Sequence, residues 1–359
     1  MNITFVLPKN NNTPVGGYKI AFQYANFLNT RGHNVTVVFR IGQRSVLGRL
    51  KHAMKISFLL HDTNINWFEL NDKIKTRNFD DIELHKYTTK DTIVIATHWS
   101  TALPVHNLKL PFSYKFYFIQ DFETFDPMAE KGQVEATYGL DLNIVTISNG
   151  LKKNIQQYIP NKKIQIVENF FLKNQFFVEK PIKKREQTIS MLIHSRSTKR
   201  TEFGLEIIDI LKQQFPKMKV ILFGGMIPEN IKIPDYALFY KNANVEQLRK
   251  EIYGNSQVYL MPTKQEGWGL TGMEAMASGT VVVAGEIAGI KEYILPTDGI
   301  LVDVTKKQAY VDAVSRLFQN NSERILRAEK GVECIQRFSI EQSGRKFEQI
   351  LRNNYSNND

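Results

Sequence analysis

Two glutamates with seven residues between them, Glu266 and Glu274, enclose a glycine-rich segment that could bind an anion. A short apolar run, Val258–Met261, precedes this segment and is typical of a buried strand. Apolar residues at helical spacing follow it from 270 to 278. Glycines at the start of a helix leave backbone N–H groups accessible where the helix dipole is positive. The pattern therefore predicts a phosphate site with a carboxylate on each side.

The residues around this segment predict a strand, a loop, a helix, a tight turn and a second strand. Gly279 ends the predicted helix, and the β-branched run 280–284 forms the second strand. A second interpretation remains open, because Thr271 and Glu274 also match a helix capping box. In that case Glu274 would stabilise the helix start instead of contacting a ligand.

The spacing of Glu266 and Glu274, with the run Ala-Met-Ala-Ser-Gly-Thr-Val-Val-Val that follows, resembles the signature of retaining GT-B glycosyltransferases of family 4. The resemblance implies that Glu266 lies beside the donor sugar, as a catalytic residue, and that Glu274 contacts the nucleotide ribose. It also implies that the helix start between them binds the diphosphate. Donor contacts are expected in this segment at Gly269, Leu270, Thr271 and Glu274.

A basic cluster follows the predicted strand 188–194. In the family that the chain resembles, an arginine and a nearby lysine at this place bind the donor diphosphate. Arg196 matches the arginine, whereas Lys199 and Arg200 both qualify for the second position. Arginine suits a bidentate phosphate contact and lysine a point charge, although a solvated charge cluster is the alternative. Gly224, after the next predicted strand, is assigned to the same donor site.

The chain begins with a strand, a helix and a strand, predicted at 3–7, 19–30 and 35–39. This βαβ unit is typical of the opening of a doubly wound domain. Its loop carries Gly16 and Gly17 but lacks the G-x-G-x-x-G pattern, which argues against a nicotinamide cofactor. The resemblance implies that both glycines face the donor and the acceptor, and a plain turn before the helix is the alternative.

Polar side chains follow two further predicted strands, 92–96 and 114–119. His98 comes after the first, and Asp121 and Glu123 come after the second. Because ligands collect at the carboxyl ends of parallel strands, we expect these side chains to converge. His98 and Asp121 are assigned catalytic roles. Capping of the next helix is the alternative for Asp121 or Glu123.

The formal net charge is +11, and residues 1–61 contain eight basic side chains and no acidic one. Such a stretch suits nucleic acid, anionic lipid or a phosphate-bearing substrate, and a lysine-rich soluble surface is the alternative. Within it, 46–60 has apolar residues at helical spacing and basic residues elsewhere on the helical wheel. This segment predicts a helix that either lies on a membrane surface or packs on the sheet.

The length of 359 residues, with 42% hydrophobic and 23% charged residues, predicts a soluble protein of two domains. Cys334 is the single cysteine, which excludes an intrachain disulfide and a cysteine-based metal site and fits a reducing cytosol. We find no basic leader and no window with the roughly 18 apolar residues of a membrane span. The expected location is the cytoplasm, with peripheral association at the inner face of the cell membrane as a further expectation.

The predicted fold is α/β of the GT-B type, with two facing Rossmann-like domains and the donor cleft between them. Residues 1–170 are expected to form the acceptor-side domain and 171–338 the donor-nucleotide domain, with 339–355 packing back on the first. The resemblance implies sugar transfer with retention, without a metal or another cofactor. No protein nucleophile is evident, so we expect a same-face attack in which the leaving phosphate takes the acceptor proton.

Two stretches, Gly16-Gly17-Tyr18-Lys19 and 117–123, resemble bacterial rhamnosyltransferases that build surface glycans. They imply dTDP-β-L-rhamnose as the donor and a polysaccharide or lipid-linked oligosaccharide as the acceptor, with Trp268 or Phe122 contacting the sugar methyl. The alternatives are a UDP-sugar-dependent enzyme, epimerase or phosphorylase of the same fold, or a non-catalytic polyanion-binding protein. Nucleic acid is not an expected partner, because the basic stretch offers few interleaved aromatic residues.

Overall fold

The computed structural model describes residues 1–10, 12–41, 65–81, 83–126 and 129–355. The chain divides into two compact units, one formed by Met1–Asn169 with Ile340–Asp359 and the other by Phe170–Ser339. Each unit is built on one parallel β-sheet. The basic segment predicted at 46–60 lies outside the described residues.

The first unit contains a seven-stranded sheet in the order β3-β2-β1-β4-β5-β6-β7, and every neighbouring pair is parallel. Its strands are β1 (Asn2–Leu7), β2 (Asn34–Arg40), β3 (Lys75–Phe79), β4 (Thr92–Ala96), β5 (Lys115–Ile119), β6 (Asn143–Thr146) and β7 (Ile164–Ile166). Its first four α-helices are α1 (Gly16–Thr30), α2 (Trp99–His106), α3 (Gln133–Tyr138) and α4 (Asn149–Gln156). Single turns of 3-10 helix lie at Leu84–Tyr87, Phe112–Tyr114 and Glu123–Phe125.

The central strands β4 and β5 are buried along their whole length, as expected for a parallel sheet with both faces covered. Their apolar runs made them predictable from sequence. Two elements were not predicted. β3 is a largely polar strand at the sheet edge, and α2 begins directly after His98 and contains Pro104.

The second unit contains a six-stranded sheet in the order β10-β9-β8-β11-β12-β13, again with parallel pairs throughout. Its strands are β8 (Thr188–Leu192), β9 (Lys219–Gly224), β10 (Ala237–Lys241), β11 (Val258–Met261), β12 (Val281–Gly285) and β13 (Ile300–Val302). Its α-helices are α5 (Thr201–Gln214), α6 (Val245–Gln247), α7 (Leu270–Ala277), α8 (Lys307–Gln319) and α9 (Asn321–Ile335), and a π-helix, Leu248–Tyr253, continues α6. Single turns of 3-10 helix lie at Ile182–Lys184, Ser197–Lys199 and Ile290–Glu292. The predicted α/β class with parallel sheets is confirmed.

A last helix, α10 (Ile340–Tyr355), follows the second unit along the chain but belongs to the first. The ring of Phe347 packs against those of Phe5, Tyr24 and Phe118, with centroid separations of 6.4, 4.8 and 5.3 Å. Phe347 is fully buried, so α10 completes the apolar core of the first unit.

Carboxylates from later in the chain neutralise two cations of the acid-free stretch 1–61. Arg40 forms a bidentate ion pair with Asp81, with N–O distances of 2.5 and 2.6 Å. Arg31 pairs with one oxygen of Glu348, and the other oxygen lies 2.9 Å from His33 Nε2. Counting charges along the sequence therefore overstates how cationic this stretch is. Within the described ranges, no helix combines the length and apolarity that crossing a membrane requires.

Candidate functional site

The glycine-rich segment of the second unit connects β11 to α7 and ends in an unusual backbone conformation. Gly269 is the N-cap of α7 and has a φ of 91°, in the left-handed region that favours glycine. Its carbonyl accepts hydrogen bonds from the Gly272 N–H at 3.0 Å and from the Tyr293 hydroxyl at 2.9 Å. The first N–H groups of any helix lie outside its internal hydrogen-bonding pattern, so this helix start can bind an anion.

The capping-box interpretation of Thr271 and Glu274 is wrong. Helix α7 begins at Leu270, so neither residue occupies the position that a capping box requires, and no side chain caps the helix. The Thr271 hydroxyl instead accepts a hydrogen bond from the hydroxyl of Tyr259 at 3.0 Å. Glu274 lies further along α7 and is buried, with 7% of the residue exposed. Contact of Glu274 with the nucleotide ribose remains a prediction.

Lys199 is the cation that the structure brings to Glu266. Their side chains form an ion pair, with 17% of Lys199 and 8% of Glu266 exposed. The Thr263 hydroxyl and the Lys264 N–H both donate to the carbonyl of Thr198 at 2.9 Å, which joins the two loops. Both charged residues line a small cavity with Leu192, Tyr259, Leu260, Met261, Pro262, Thr263 and Thr271.

Arg200, the other candidate for this role, is engaged elsewhere. Its guanidinium carbon lies 3.5 Å from the ring centroid of Phe203, and Nη1 donates to the carbonyl of Val304. Arg200 also has a φ of 55° and is the N-cap of α5. These contacts favour Lys199 over Arg200 as the lysine-type phosphate contact.

His194, which the sequence analysis did not select, lies beside this basic cluster. Its Nδ1 accepts a hydrogen bond from the N–H of Arg196 at 2.9 Å. Burial, and then the charges of Lys199 and Arg196, lower the pKa of His194 to about 4, so the imidazole is neutral near pH 7. Its position after strand β8 was the available signal, because polar residues at the carboxyl ends of parallel strands often contact ligands.

Gly224 has a structural explanation independent of any ligand. It ends β9, and a Cβ atom there would lie 2.3 Å from the carbonyl oxygen of Ile193. The close approach of two backbones therefore requires glycine at this position. The assignment of Gly224 to the donor site remains a prediction.

In the first unit, Gly16 and Gly17 are the first two residues of α1, which follows the loop after β1. The side-chain amide of Gln120 donates to the carbonyl of Gly17 at 3.0 Å. This bond holds the start of α1 near the carboxyl end of β5, so both glycines lie at the sheet edge where the predicted polar residues are found.

His98 is the N-cap of α2, and its ring takes part in the cap. Its Nδ1 lies 2.9 Å from the Ser100 hydroxyl and accepts the Ser100 N–H at 3.3 Å. Glu123 accepts the N–H of Trp99 at 2.7 Å and therefore also stabilises the start of α2. Capping of the next helix was the alternative for Asp121 or Glu123, but α3 has Gly132 as its N-cap and no side-chain cap.

The other ring nitrogen of His98 faces two carboxylates. His98 Nε2 lies 3.8 Å from Glu123 and 3.6 Å from Asp126, which also accepts the indole N–H of Trp99 at 2.8 Å. Burial lowers the pKa of His98 to about 4, opposed by the charge of Asp126. Burial also raises the pKa of Glu123 well above its usual range, and the charge of Asp121 contributes. The cluster therefore contains a neutral imidazole and a carboxyl group that resists ionisation.

Across the described ranges, no group of three or more His, Cys, Asp or Glu side chains is arranged to hold a metal ion. The absence of a metal or other cofactor from the reaction remains a prediction.

Trp268 cannot contact a sugar methyl in the way that the sequence suggested. Only 2% of the residue is exposed, and its ring stacks on Tyr293 and packs edge-on against Phe338. The ring of Phe122, the other candidate, lies 6.1 Å from those of Tyr138 and Tyr158. The expectation for Trp268 is wrong because an aromatic residue in a polar loop turned inward to complete a core.

Part of the chain is similar to known glycosyltransferases. Residues 173–337 match the family model described as glycosyl transferases group 1. D-inositol 3-phosphate glycosyltransferase from Corynebacterium urealyticum is 32% identical over 164 residues, covering 41% of this chain and 38% of that protein. Glycogen synthase from Caldicellulosiruptor saccharolyticus is 27% identical over 173 residues, covering 44% and 36%. The chain thus spans well under half the length of these curated relatives.

Solved structures resemble the chain over nearly its whole length. Sucrose-phosphate synthase from Thermosynechococcus elongatus superposes with a TM-score of 0.76 at 14% identity, covering 99% of this chain and 100% of that one. HepE from Anabaena, in complex with UDP and glucose, gives 0.71 at 13% identity, covering 98% and 99%. These likenesses concern the fold. The chain has the GT-B fold of two parallel-sheet Rossmann-like units. Residues 173–337 are similar to the glycosyl transferases group 1 family.

Proposed function

We propose that this protein transfers a sugar from a nucleoside-diphosphate donor to an acceptor hydroxyl with retention of configuration. The observation that carries the proposal is the start of α7, which lies between Glu266 and the buried Glu274. Gly269, the N-cap of this helix, has a left-handed backbone conformation. The diphosphate would bind at this helix start and at the basic loop that contributes Lys199. Glu274 would contact the nucleotide ribose.

The chemistry follows from the charges around this helix start. As the bond between the anomeric carbon and the phosphate oxygen breaks, negative charge grows on the leaving diphosphate. Arg196, Lys199 and the helix N–H groups would stabilise that charge electrostatically. The acceptor oxygen would attack from the face that the diphosphate leaves, and the acceptor proton would pass to a phosphate oxygen. Glu266 would position the sugar during this exchange.

The cluster of His98 and Glu123 in the first unit suits the acceptor side of this reaction. Burial leaves the His98 imidazole uncharged near pH 7 and raises the pKa of Glu123, and both side chains can exchange hydrogen bonds with hydroxyl groups. Asp121 and the two glycines at the start of α1 are proposed members of the same region. The acceptor itself, a polysaccharide or lipid-linked oligosaccharide, is proposed from the resemblance. The names of the relatives point to different acceptors, inositol phosphate and glycogen, and therefore do not select one.

For the donor we propose dTDP-β-L-rhamnose, on the resemblance of Gly16-Gly17-Tyr18-Lys19 and 117–123 to surface-glycan rhamnosyltransferases. A UDP-sugar is the alternative, and the HepE complex with UDP and glucose supports it by analogy of fold. Burial of Trp268 removes one of the two contacts expected for the rhamnose methyl, which leaves Phe122. Apolar contact with a single methyl discriminates by only about 1–3 kcal/mol, so some activity with other sugars is expected.

The test is calorimetric titration with dTDP and with UDP, followed by turnover of dTDP-rhamnose, UDP-glucose and UDP-GlcNAc. Release of nucleoside diphosphate from any of these donors in the presence of an acceptor supports the general proposal. Preference for a UDP-sugar in both assays would reject the rhamnosyl assignment alone. Salt-sensitive binding to polyanions without turnover of any donor would favour the non-catalytic alternative.

A further inference from the structure

We infer that Tyr293 is a positioning residue that sets the diphosphate-binding geometry of α7, and that Gly272 is glycine because it makes room for the Tyr293 hydroxyl. The inference rests on the proposed function, since the diphosphate is part of that proposal. Tyr293 follows the 3-10 turn Ile290–Glu292 and is completely buried.

The hydroxyl of Tyr293 acts on the peptide that opens the helix. It donates to the carbonyl of Gly269 at 2.9 Å, and the N–H of Gly272 donates to the same oxygen at 3.0 Å. That carbonyl shares one planar peptide unit with the N–H of Leu270, and in a trans peptide the two groups point in opposite directions. Two donors on the inner side therefore direct the Leu270 N–H outward, towards a bound anion. Gly269 alone would not fix this direction, because glycine tolerates many backbone conformations.

Aromatic packing holds the Tyr293 ring in place. Trp268, the residue before Gly269, stacks on it with a centroid distance of 5.9 Å and an interplanar angle of 26°. Phe338 packs edge-on against Trp268 at 5.4 Å. Burial raises the pKa of Tyr293 well above its usual range, so the hydroxyl stays protonated and remains a donor. The ring cannot leave its place without disturbing the loop that carries Glu266.

Gly272 lies where any larger residue would collide with this hydroxyl. A Cβ atom at Gly272 would lie 2.4 Å from the Tyr293 hydroxyl oxygen, 3.2 Å from Met261 Sδ and 3.4 Å from Tyr293 Cζ. Glycine in the first turn of a helix is less favourable than alanine. Of these three atoms, only the hydroxyl oxygen is closer than a Cβ atom can approach. The hydroxyl therefore explains why the position carries glycine.

The first test is Tyr293→Phe, which removes the hydroxyl and keeps the ring. Loss of one hydrogen bond that orients a ligand-binding peptide should weaken binding of dTDP or UDP by about three- to tenfold. Donor KM should rise by a similar factor, with a smaller change in kcat. The matched control is Tyr310→Phe, because Tyr310 is equally buried but its hydroxyl has no hydrogen-bond partner among the described residues. The control should bind nucleotide as the parent does.

The second test uses the predicted coupling between the two positions. Gly272→Ala alone should lower the melting temperature and weaken nucleotide binding, because its Cβ collides with the hydroxyl. In the Tyr293→Phe background the nearest remaining contacts are 3.2 and 3.4 Å, so Gly272→Ala should add no further loss of affinity.

Unchanged nucleotide affinity in Tyr293→Phe, while the parent binds nucleotide, would overturn the inference. Equal damage by Gly272→Ala in both backgrounds would overturn the explanation of the glycine. Failure of the proposed function is distinguishable, because the parent itself would then bind neither nucleotide and turn over no donor. The melting temperatures of the four proteins would still report the coupling between Gly272 and Tyr293.

Discussion

Replacing Glu266 by glutamine keeps the size of the side chain and removes the negative charge that pairs with Lys199. If Glu266 positions the donor sugar, turnover at saturating donor should fall at least about tenfold, which corresponds to about 1.4 kcal/mol of transition-state stabilisation. Nucleotide affinity should change little, because Lys199 keeps its charge and can still contact the phosphate. The expected signature is a loss of kcat without a matching loss of binding.

The effect on stability can be bounded from the burial of the pair. Removing one member of a fully buried ion pair costs about 3–5 kcal/mol, because the other charge is left without a partner. Lys199 is 17% exposed, and the glutamine oxygen can still accept its hydrogen bond. We therefore expect the free energy of unfolding to fall by only about 1–2 kcal/mol. The folded enzyme should remain the dominant species, so the loss of turnover can be measured directly.

The assay is release of nucleoside diphosphate at saturating donor, with nucleotide affinity from calorimetry and unfolding from thermal melts. Glu186→Gln is the matched control, because Glu186 pairs with Lys219 in the same unit but is 63% exposed. Exposed pairs of this kind contribute little to stability, and this one lies where β8 and β9 begin, at the opposite edge of the sheet from the start of α7. A Glu266→Gln protein that keeps parental turnover, or loses turnover only in proportion to nucleotide affinity, would refute the role assigned to Glu266.

Three further predictions can be tested with the same methods. Glu274→Ala should weaken nucleotide binding by about 1.5–3 kcal/mol in calorimetry, the value of a hydrogen bond to a charged group; earlier melting with intact affinity would contradict it. Burial opposes ionisation of Glu348, but hydrogen bonds from three basic side chains hold its pKa at about 2. The stabilising contribution of Glu348 is therefore complete above its pKa in the unfolded chain, about 4.3, and is lost as the pH falls towards 2. The melting temperature of Glu348→Gln should therefore fall less on acidification than that of the parent. Replacing Arg49, Lys51 and Lys55 with glutamine should lower sedimentation with anionic vesicles, and binding insensitive to both the substitutions and salt would reject membrane docking.

The elements around the proposed donor site could be predicted because their signals are local. Strands such as Val258–Met261 are short apolar runs, and the glycines of 267–272 mark where a helix must begin. Ser148, a residue type that favours the N-cap position, likewise caps α4 and accepts the N–H of Leu151 at 3.0 Å. Each of these features depends on residues within a few positions of each other. Their structural context was therefore largely determined by the neighbouring sequence.

The features that were not predicted from the sequence depend on contacts with distant parts of the chain. The polar strand β3 forms because it pairs with β2, and nothing in its own composition indicates a strand. The choice between Lys199 and Arg200 depends on Phe203 and on the carbonyl of Val304, which is 104 residues away. Trp268 is buried by Tyr293 and Phe338, so its contacts could not be read from the loop that carries it. Local patterns located the candidate site, but tertiary contacts decided which of its side chains are accessible.

The place of α10 in the first unit affects the order in which the protein can fold during synthesis. Glu348 pairs with Arg31 across 317 positions of sequence, and Phe347 fills the core behind β1. The whole second unit leaves the ribosome before these residues do. Domains usually fold in the order of synthesis, but here the later unit can reach its native state while the earlier one still lacks a core helix. Until α10 docks, the rings of Phe5, Tyr24 and Phe118 lack the Phe347 ring that packs against them, which makes the nascent first unit the species most exposed to aggregation and to chaperones.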